Sequence, residues 1–542
     1  MDQHRENIKP TESIRCRFEN AATEIAELMT TSGAPSLSYA VIHNGRLIHT
    51  HHLGYRNIET KLCPDNDTRH NINSMTKAVT AALVVMEVAK GTLAWSSKVK
   101  ELLPDFASRS PVVEQECTIL DLLTHNTGLS ECDALWLGSQ NNILLDRDEL
   151  IKTVATLHPQ SAFRSKTFVY NNWGYEIVGL VLERVTGKGI SQLLQERIFQ
   201  PLNMSRTSTS WYDEDDNEAT AHVVLNDLTA VEIDRPKVGK GTLMAAAGGV
   251  KSTLNDLIIL YTEMLSAISS ALDPNISSSK TSNIFRDCIP TFIAHRVIPG
   301  ESLREQTYAM GWCRAQLPGQ IGRIANNAAL NTPPIIGTGA SPCLVIYHHG
   351  NIPGGATVVN LLPETQSAVI VLSNASAPVD IADYAAQILI ERLLDVPKPV
   401  DFVALAREHV RKTFKQASDV KVELDRNRQL GTSPKALSSY VGRYWNELRN
   451  WCIDISVRNG ELNMAFQGLD TETFELRHYH HDTFEWWMSW DDSCRRAREA
   501  IGVASFWLIE FEFEDGRASR LLWAMDPAVS ESKEPFYFDG EV

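Results

Sequence analysis

Residues 78–86 read Ala-Val-Thr-Ala-Ala-Leu-Val-Val-Met, follow directly on Ser74-Met75-Thr76-Lys77, and are apolar nearly all round. At helical pitch such a run has no face to offer water, so it predicts a helix buried inside a large domain, with Gly91 as its stop. Other layers of structure must surround it. The four residues at its head add chemistry, because positions i and i+3 of a helix share a face and the Lys77 amine can fold back onto the Ser74 hydroxyl. Burial and the helix N-terminal dipole both disfavour an ammonium there, so Lys77 is expected to be ready to accept the serine proton. Ser-x-x-Lys also starts at Ser97, Ser277, Ser418 and Ser530. Those four lie past the helix stop, in a serine-rich polar loop, on a charged stretch and in an acidic tail; only Ser74 heads a buried helix.

Tyr170-Asn171-Asn172 precedes a second amphipathic pattern, with Trp173, Ile177, Val178, Val181 and Val185 on one stripe and Gly187 as its cap. A phenol there is suited to acid or base work, and a packed aromatic with one hydrogen bond is the plainer reading. His348-His349-Gly350 leads through Asn351-Ile352-Pro353-Gly354-Gly355 into β-rich runs at 356–362 and 368–372. A glycine beside a strand edge lets a substrate approach the backbone. Such an edge can lend an N–H to a developing oxyanion, and the Ser74 N–H can lend another.

The order and surroundings of these three segments resemble the serine β-lactamase and penicillin-binding-protein superfamily, in its class C and esterase-like branch, over roughly residues 15–395. Further similar stretches are Leu122-Leu123-Thr124-His125-Asn126-Thr127-Gly128-Leu129, Pro201-Leu202-Asn203-Met204, Ala246-Ala247-Gly248-Gly249-Val250 and Tyr308-Ala309-Met310-Gly311-Trp312. The resemblance implies that Ser74 is the acylated nucleophile, Lys77 its base, Tyr170 the general acid/base and Asn172 an orienting amide. It puts His348 in the third-motif position with Gly350 beside it, gives the oxyanion to the N–H groups of Ser74 and Asn351, and makes Trp312 a pocket residue. His125 and His349 are read as structural.

Penicillin-recognising members carry Lys-Thr-Gly where this chain carries His-His-Gly, closer to the His-x-Gly of esterases, D-aminopeptidases and acyltransferases. A histidine of ordinary pKa, about 6.5, is mostly neutral at pH 7 and supplies no permanent cation for a substrate carboxylate. The implied activity is therefore a serine hydrolase that forms an acyl-enzyme on Ser74 and cleaves a small ester or amide. Acyl transfer to a small-molecule acceptor and D-amino-acid amide hydrolysis stay open as alternatives. A true β-lactamase and a catalytically silent binding protein stand behind them. No metal and no cofactor is expected.

A chain of 542 residues with 43% hydrophobic content can bury a large core and exceeds a typical single domain. A formal net charge of −16 argues against nucleic acid or an anionic membrane as a partner and leaves a small molecule as the expected one. Residues 1–7 contain no apolar leader-like run, and nine cysteines without a Cys-x-x-Cys pair suit reduced thiols, so a cytoplasmic chain is expected. Oligomeric state leaves no mark in the sequence.

Runs at 36–42 and 46–51 flank Asn44-Gly45, a strong hairpin signal, and the last strands of the first region follow His348. Strands at both ends with helices between predict an α+β fold, an antiparallel sheet flanked by helices with a helical region inserted, the architecture the resemblance also implies. This domain is expected over 1–400, a helical connector over 401–432 and a third part over 433–542. Short period-2 runs after Tyr440, with turn dipeptides Asn459-Gly460 and Asp515-Gly516, make that part all-β, a barrel or sandwich similar to lipocalin-like C-terminal extensions. Seven of the chain's twelve tryptophans lie there and are expected to fill its core, with a face narrowing the catalytic cleft as a second reading. His478, His480 and His481 alternate along a strand and are read as surface residues. Segments 130–165, 205–240 and 270–305 are expected to shape the substrate pocket.

Overall fold

The structure is a computed structural model that describes residues 10–211, 215–273, 283–300, 302–327, 332–529 and 531–540. Ser277, Ser530 and parts of the segments 205–240 and 270–305 lie outside the described residues. The chain forms two compact units: Met1–Leu93, Ser191–Glu232 and Gly248–Lys412 make the first, and Ala94–Ile190, Ile233–Ala247 and Thr413–Val542 the second.

The first unit is built on eight strands: β1 (Ser36–His43), β2 (Arg46–Gly54), β3 (Arg296–Val297), β4 (Gln306–Tyr308), β5 (Cys313–Leu317), β6 (Cys343–Ile352), β7 (Gly355–Leu362) and β8 (Ser367–Ser373). They form one antiparallel sheet in the order β2-β1-β8-β7-β6-β5-β4-β3. Asn44 and Gly45 both take positive φ, as the dipeptide between β1 and β2 requires. β7 and β8 are buried along their whole length, and this is why they read as continuous apolar runs instead of alternating ones.

Three helices carry or brace the site residues: α1 (Thr76–Ala89), α2 (Asn172–Thr186) and α3 (Ile381–Leu393). α1 and α3 belong to the first unit and α2 to the second. α1 is buried on nearly every side, as its composition demands, and Gly91 takes φ 75° just after its end. Asp380 caps α3 by accepting the Asp383 N–H at 3.1 Å.

The second unit holds the inserted helical region and a closed barrel of eight antiparallel strands running from Gly442–Trp445 to Glu534–Phe538. Trp451, Phe466, Trp486, Phe506 and Trp523 pack ring against ring inside it, with Phe466 and Trp523 stacked at 4.9 Å. Four of the seven tryptophans, Trp451, Trp486, Trp507 and Trp523, are buried, so the barrel core is where most of this aromatic mass goes. The barrel is tied to the inserted region within the unit: Trp451 Nε1 donates to the Leu135 carbonyl at 3.0 Å, Gln467 Nε2 to the Leu144 carbonyl at 3.2 Å, and Glu472 accepts the Ser139 N–H. His478 Nε2 lies 3.0 Å from the His481 carbonyl. Among the described residues no helix is long and apolar enough to cross a membrane.

Candidate active site

Ser74 sits in a short 3-10 turn, Asn73–Met75, that leads into α1, so the helix proper begins two residues after the serine and not at it. Asn73 holds a positive φ of 50°, a conformation asparagine tolerates, and its Nδ2 donates to the carbonyls of Gly350 and Gly355, each at 3.4 Å. The turn is braced from another side by Val250, whose N–H donates to Thr76 Oγ1 at 3.1 Å and whose carbonyl accepts the Ile72 N–H at 3.0 Å. Val250 is the last residue of the Ala246–Val250 stretch and lies in the first unit. Lys77 Nζ lies 2.9 Å from Ser74 Oγ, and the lysine side chain is fully buried while Ser74 keeps part of its surface open. A hydroxyl with an amine at hydrogen-bond distance and out of water is the arrangement from which a serine is deprotonated.

β6 explains the third motif. Successive strand residues point to opposite faces, so His348 and Gly350 turn toward the serine's turn and His349 turns away. A Cβ on Gly350 would stand 2.2 Å from the Ile72 carbonyl oxygen and 2.6 Å from Thr357 Oγ1. The turn carrying Ser74 therefore makes a close approach of its own that needs this glycine. His348 is fully buried, with Nδ1 2.6 Å from the His349 carbonyl and Nε2 3.2 Å from the Tyr308 hydroxyl. A carbonyl only accepts, so Nδ1 carries the proton and Nε2 accepts from Tyr308. Burial, and after it the positive charge of Lys77, hold the His348 pKa well below its ordinary value, so the ring is neutral at neutral pH. On the far face His349 Nε2 pairs with Asp383 Oδ1 of α3 at 3.0 Å, in keeping with its structural reading.

Among the described residues the β5 ladder along β6 ends at the pair Tyr347–Cys313, while β7 continues to pair as far as Ile352. Asn351 therefore stands on a local open edge of the sheet, half-buried. Trp312 differs from its expectation. It has no exposed surface and packs against Phe292 and Tyr261, with ring centroids 5.5 and 6.3 Å away. It is a core residue, not a lining one. The segment's contribution to the site is Gly311 at φ 77°, where a Cβ would meet the Lys77 carbonyl and the Ala78 nitrogen at 2.8 Å.

In the second unit Tyr170 is half-buried, and its ring lies 4.4 Å from that of His125. His125 Nδ1 accepts the Asn171 N–H at 3.1 Å and so braces the backbone of the motif. Asn171 caps α2 by accepting the Gly174 N–H at 2.8 Å, and its Nδ2 donates to the carbonyls of Ser130 at 2.8 Å and Leu129 at 3.1 Å. Asn172 Nδ2 donates to Glu131 Oε1 at 2.8 Å and Asp133 Oδ2 at 3.2 Å. This fixes which way its amide faces, so the motif's middle asparagine builds the helix start and its last one is oriented by two carboxylates. Glu131 and Asp133 carry no motif signal in the sequence. Glu176, one turn further along α2, accepts the Ala246 N–H at 3.0 Å and lies 3.6 Å from Arg147, and burial pushes its carboxyl up to about 7. Gly179 lets Ala246 come this near, since a Cβ there would stand 2.8 Å from the alanine methyl. Ser74, Lys77, His348, Gly350 and Asn351 are thus gathered in the first unit, and Tyr170 and Asn172 in the second.

Known proteins supply an independent view. The sequence model of the beta-lactamase family matches residues 21–392, and that of a domain of unknown function, DUF3471, matches residues 427–537. A protein named unguisins hydrolase ungD from Aspergillus violaceofuscus is 23% identical over 469 residues, covering 78% of this chain and 74% of its own. Its counterpart from Aspergillus campestris is 23% identical over 398 residues, 70% and 67% of the two chains. Among solved structures, the octameric penicillin-binding protein homologue from Pyrococcus abyssi has a TM-score of 0.55 and 18% identity, covering 96% of this chain and 99% of that one, a likeness of fold.

Proposed function

The chain belongs to the beta-lactamase family, and from that premise we propose that it is a serine hydrolase which forms an acyl-enzyme on Ser74 and cleaves a small ester or amide. The observation that carries this reading is the 2.9 Å contact between Lys77 Nζ and Ser74 Oγ at the head of a buried helix. In the proposed sequence the Ser74 oxygen attacks the substrate carbonyl carbon while its proton passes to the Lys77 amine. The carbonyl electron pair moves onto oxygen, and the N–H groups of Ser74 and Asn351 stabilise that charge. The bond to the leaving alcohol or amine then breaks, the Tyr170 hydroxyl gives the departing atom its proton, and the phenolate recovers one from the Lys77 ammonium, which leaves the lysine a free amine again. Water attacks the acyl carbon as it loses a proton to Lys77, and that proton passes to Ser74 Oγ as the acid leaves, restoring the starting state.

The neutral His348 supports an ester or amide over a substrate held by its carboxylate, since the ring supplies no positive charge. The relatives named as hydrolases favour water over another acyl acceptor. Acyl transfer keeps its place as the second reading because nothing in the serine chemistry depends on the acceptor. Release of nitrophenol from p-nitrophenyl acetate and butyrate tests the assignment. Ser74→Ala and Lys77→Ala are each expected to lose at least a hundredfold in kcat/KM with the fold intact by circular dichroism, and wild-type rates in either variant would refute it.

A further inference from the structure

Beside Asp133, one of the carboxylates that hold Asn172, the second unit contains a pocket open to solvent. Its walls come from the segment that includes Asp133 and Leu137 and from the barrel residues Trp486, Met488, Phe506 and Trp507, and they are mainly apolar. Two charged side chains of the barrel join them. Arg498 is already committed, to Glu472 as an ion pair and to Ser139 Oγ at 3.0 Å. Glu499 is not. Its side chain is well exposed, and among the described residues it has no hydrogen-bond or ion-pair partner. Asp133, on the same wall, accepts the Trp136 Nε1–H at 2.6 Å and the Asn172 amide. The site therefore has an excess of negative charge over aromatic walls, the combination that takes an organic cation: carboxylates for the charge, ring faces for the ammonium hydrogens and the hydrocarbon behind them.

We propose that this pocket binds a protonated primary amine carried on an aromatic or short aliphatic stem, with the ammonium at Glu499 and the stem against Trp486 and Trp507. Asp133 also accepts from the Asn172 amide, so the pocket shares a residue contact with the Tyr170-Asn171-Asn172 motif within the second unit.

Binding to the full chain, measured by titration calorimetry with three probes of nearly one shape, tests this. Phenethylamine is cationic at pH 7.5, 2-phenylethanol neutral and phenylacetate anionic. The expected result is saturable binding of phenethylamine, at least tenfold weaker binding of the other two, a tenfold or greater loss for phenethylamine in Glu499→Gln, and no loss in Ser74→Ala. Met488→Arg, which brings a guanidinium into the pocket to pair with Glu499, is expected to abolish phenethylamine binding as well, and provides a second variant should Glu499→Gln be poorly folded. Equal binding of the three probes, no binding of phenethylamine, or full binding in both pocket variants would overturn the proposal. Since the Ser74→Ala chain is expected to bind the amine like wild type, a failure here is separate from a failure of nitrophenyl-ester turnover. That turnover reads the serine chemistry alone.

Discussion

Adding one carbon at Gly350 would put it 2.2 Å from the Ile72 carbonyl oxygen, two residues before the nucleophile, and the turn Asn73–Met75 would have to move to admit it. Gly350→Ala is accordingly expected to destabilise the chain by about 1–3 kcal/mol and to cost activity out of proportion to that loss, because the displaced atoms are those that aim Ser74. Thermal melting and nitrophenyl-ester kinetics on the same preparation check both parts; an unchanged melting temperature with full activity would show that the turn is not held by this contact. At this scale the sequence was informative where chemistry needs a fixed spacing. Ser74 and Lys77 are one helical turn apart in any helix, and His348 and Gly350 share a face of any strand. It was silent on Glu131 and Asp133, since two acidic residues in a loop look the same whether they face solvent or orient Asn172. It misled on Trp312, because a tryptophan next to a motif has the same composition whether it lines a pocket or, as here, fills the core behind one.

Among the elements, α2 carries both ends of a functional segment, the Asn171 cap at its start and the buried Glu176 one turn on. A carboxyl whose folded pKa is raised, here from 4.5 to about 7, lends stability that is fully present below 4.5 and is lost as the pH rises through 7. Glu176→Gln removes this titration while leaving an oxygen to accept the Ala246 N–H. The melting temperature of wild type relative to the variant is therefore expected to fall between pH 5 and pH 8, by the equivalent of about 2–3 kcal/mol. A difference that stays flat over that range would show that Glu176 is ionised throughout. The C-terminal ends of α1 and α2 could be read from Gly91 and Gly187, as caps are local. The 3-10 start of the Ser74 segment was not legible, because the i to i+3 pattern puts serine and lysine on one face in either kind of turn.

For the molecule as a whole, the barrel's strands were visible from period-2 alternation, but its closure was not. The closing pair joins Gly442–Trp445 to Glu534–Phe538 across the length of the domain, and no short-range signal encodes such a pairing. The grouping of the barrel with Ala94–Ile190 in one unit was equally hidden, since it rests on long-range contacts such as Glu472 with the Ser139 N–H. Glu472 has no exposed surface and also pairs with Arg498. Glu472→Ala leaves that guanidinium uncompensated and is expected to cost about 3–5 kcal/mol of the second unit's stability. Tyr170 belongs to that unit, so ester turnover is expected to fall with it although Ser74 and Lys77 are untouched; calorimetric melting followed by kinetics checks this, and full activity would separate the barrel from the chemistry. Intact-protein mass spectrometry after brief mixing with p-nitrophenyl butyrate and an acid quench reads the acyl-enzyme directly. A butyryl adduct is expected that maps to Ser74, builds up within the first turnover and is absent from Ser74→Ala. An adduct on another residue, or turnover at the wild-type rate in Ser74→Ala, would contradict it.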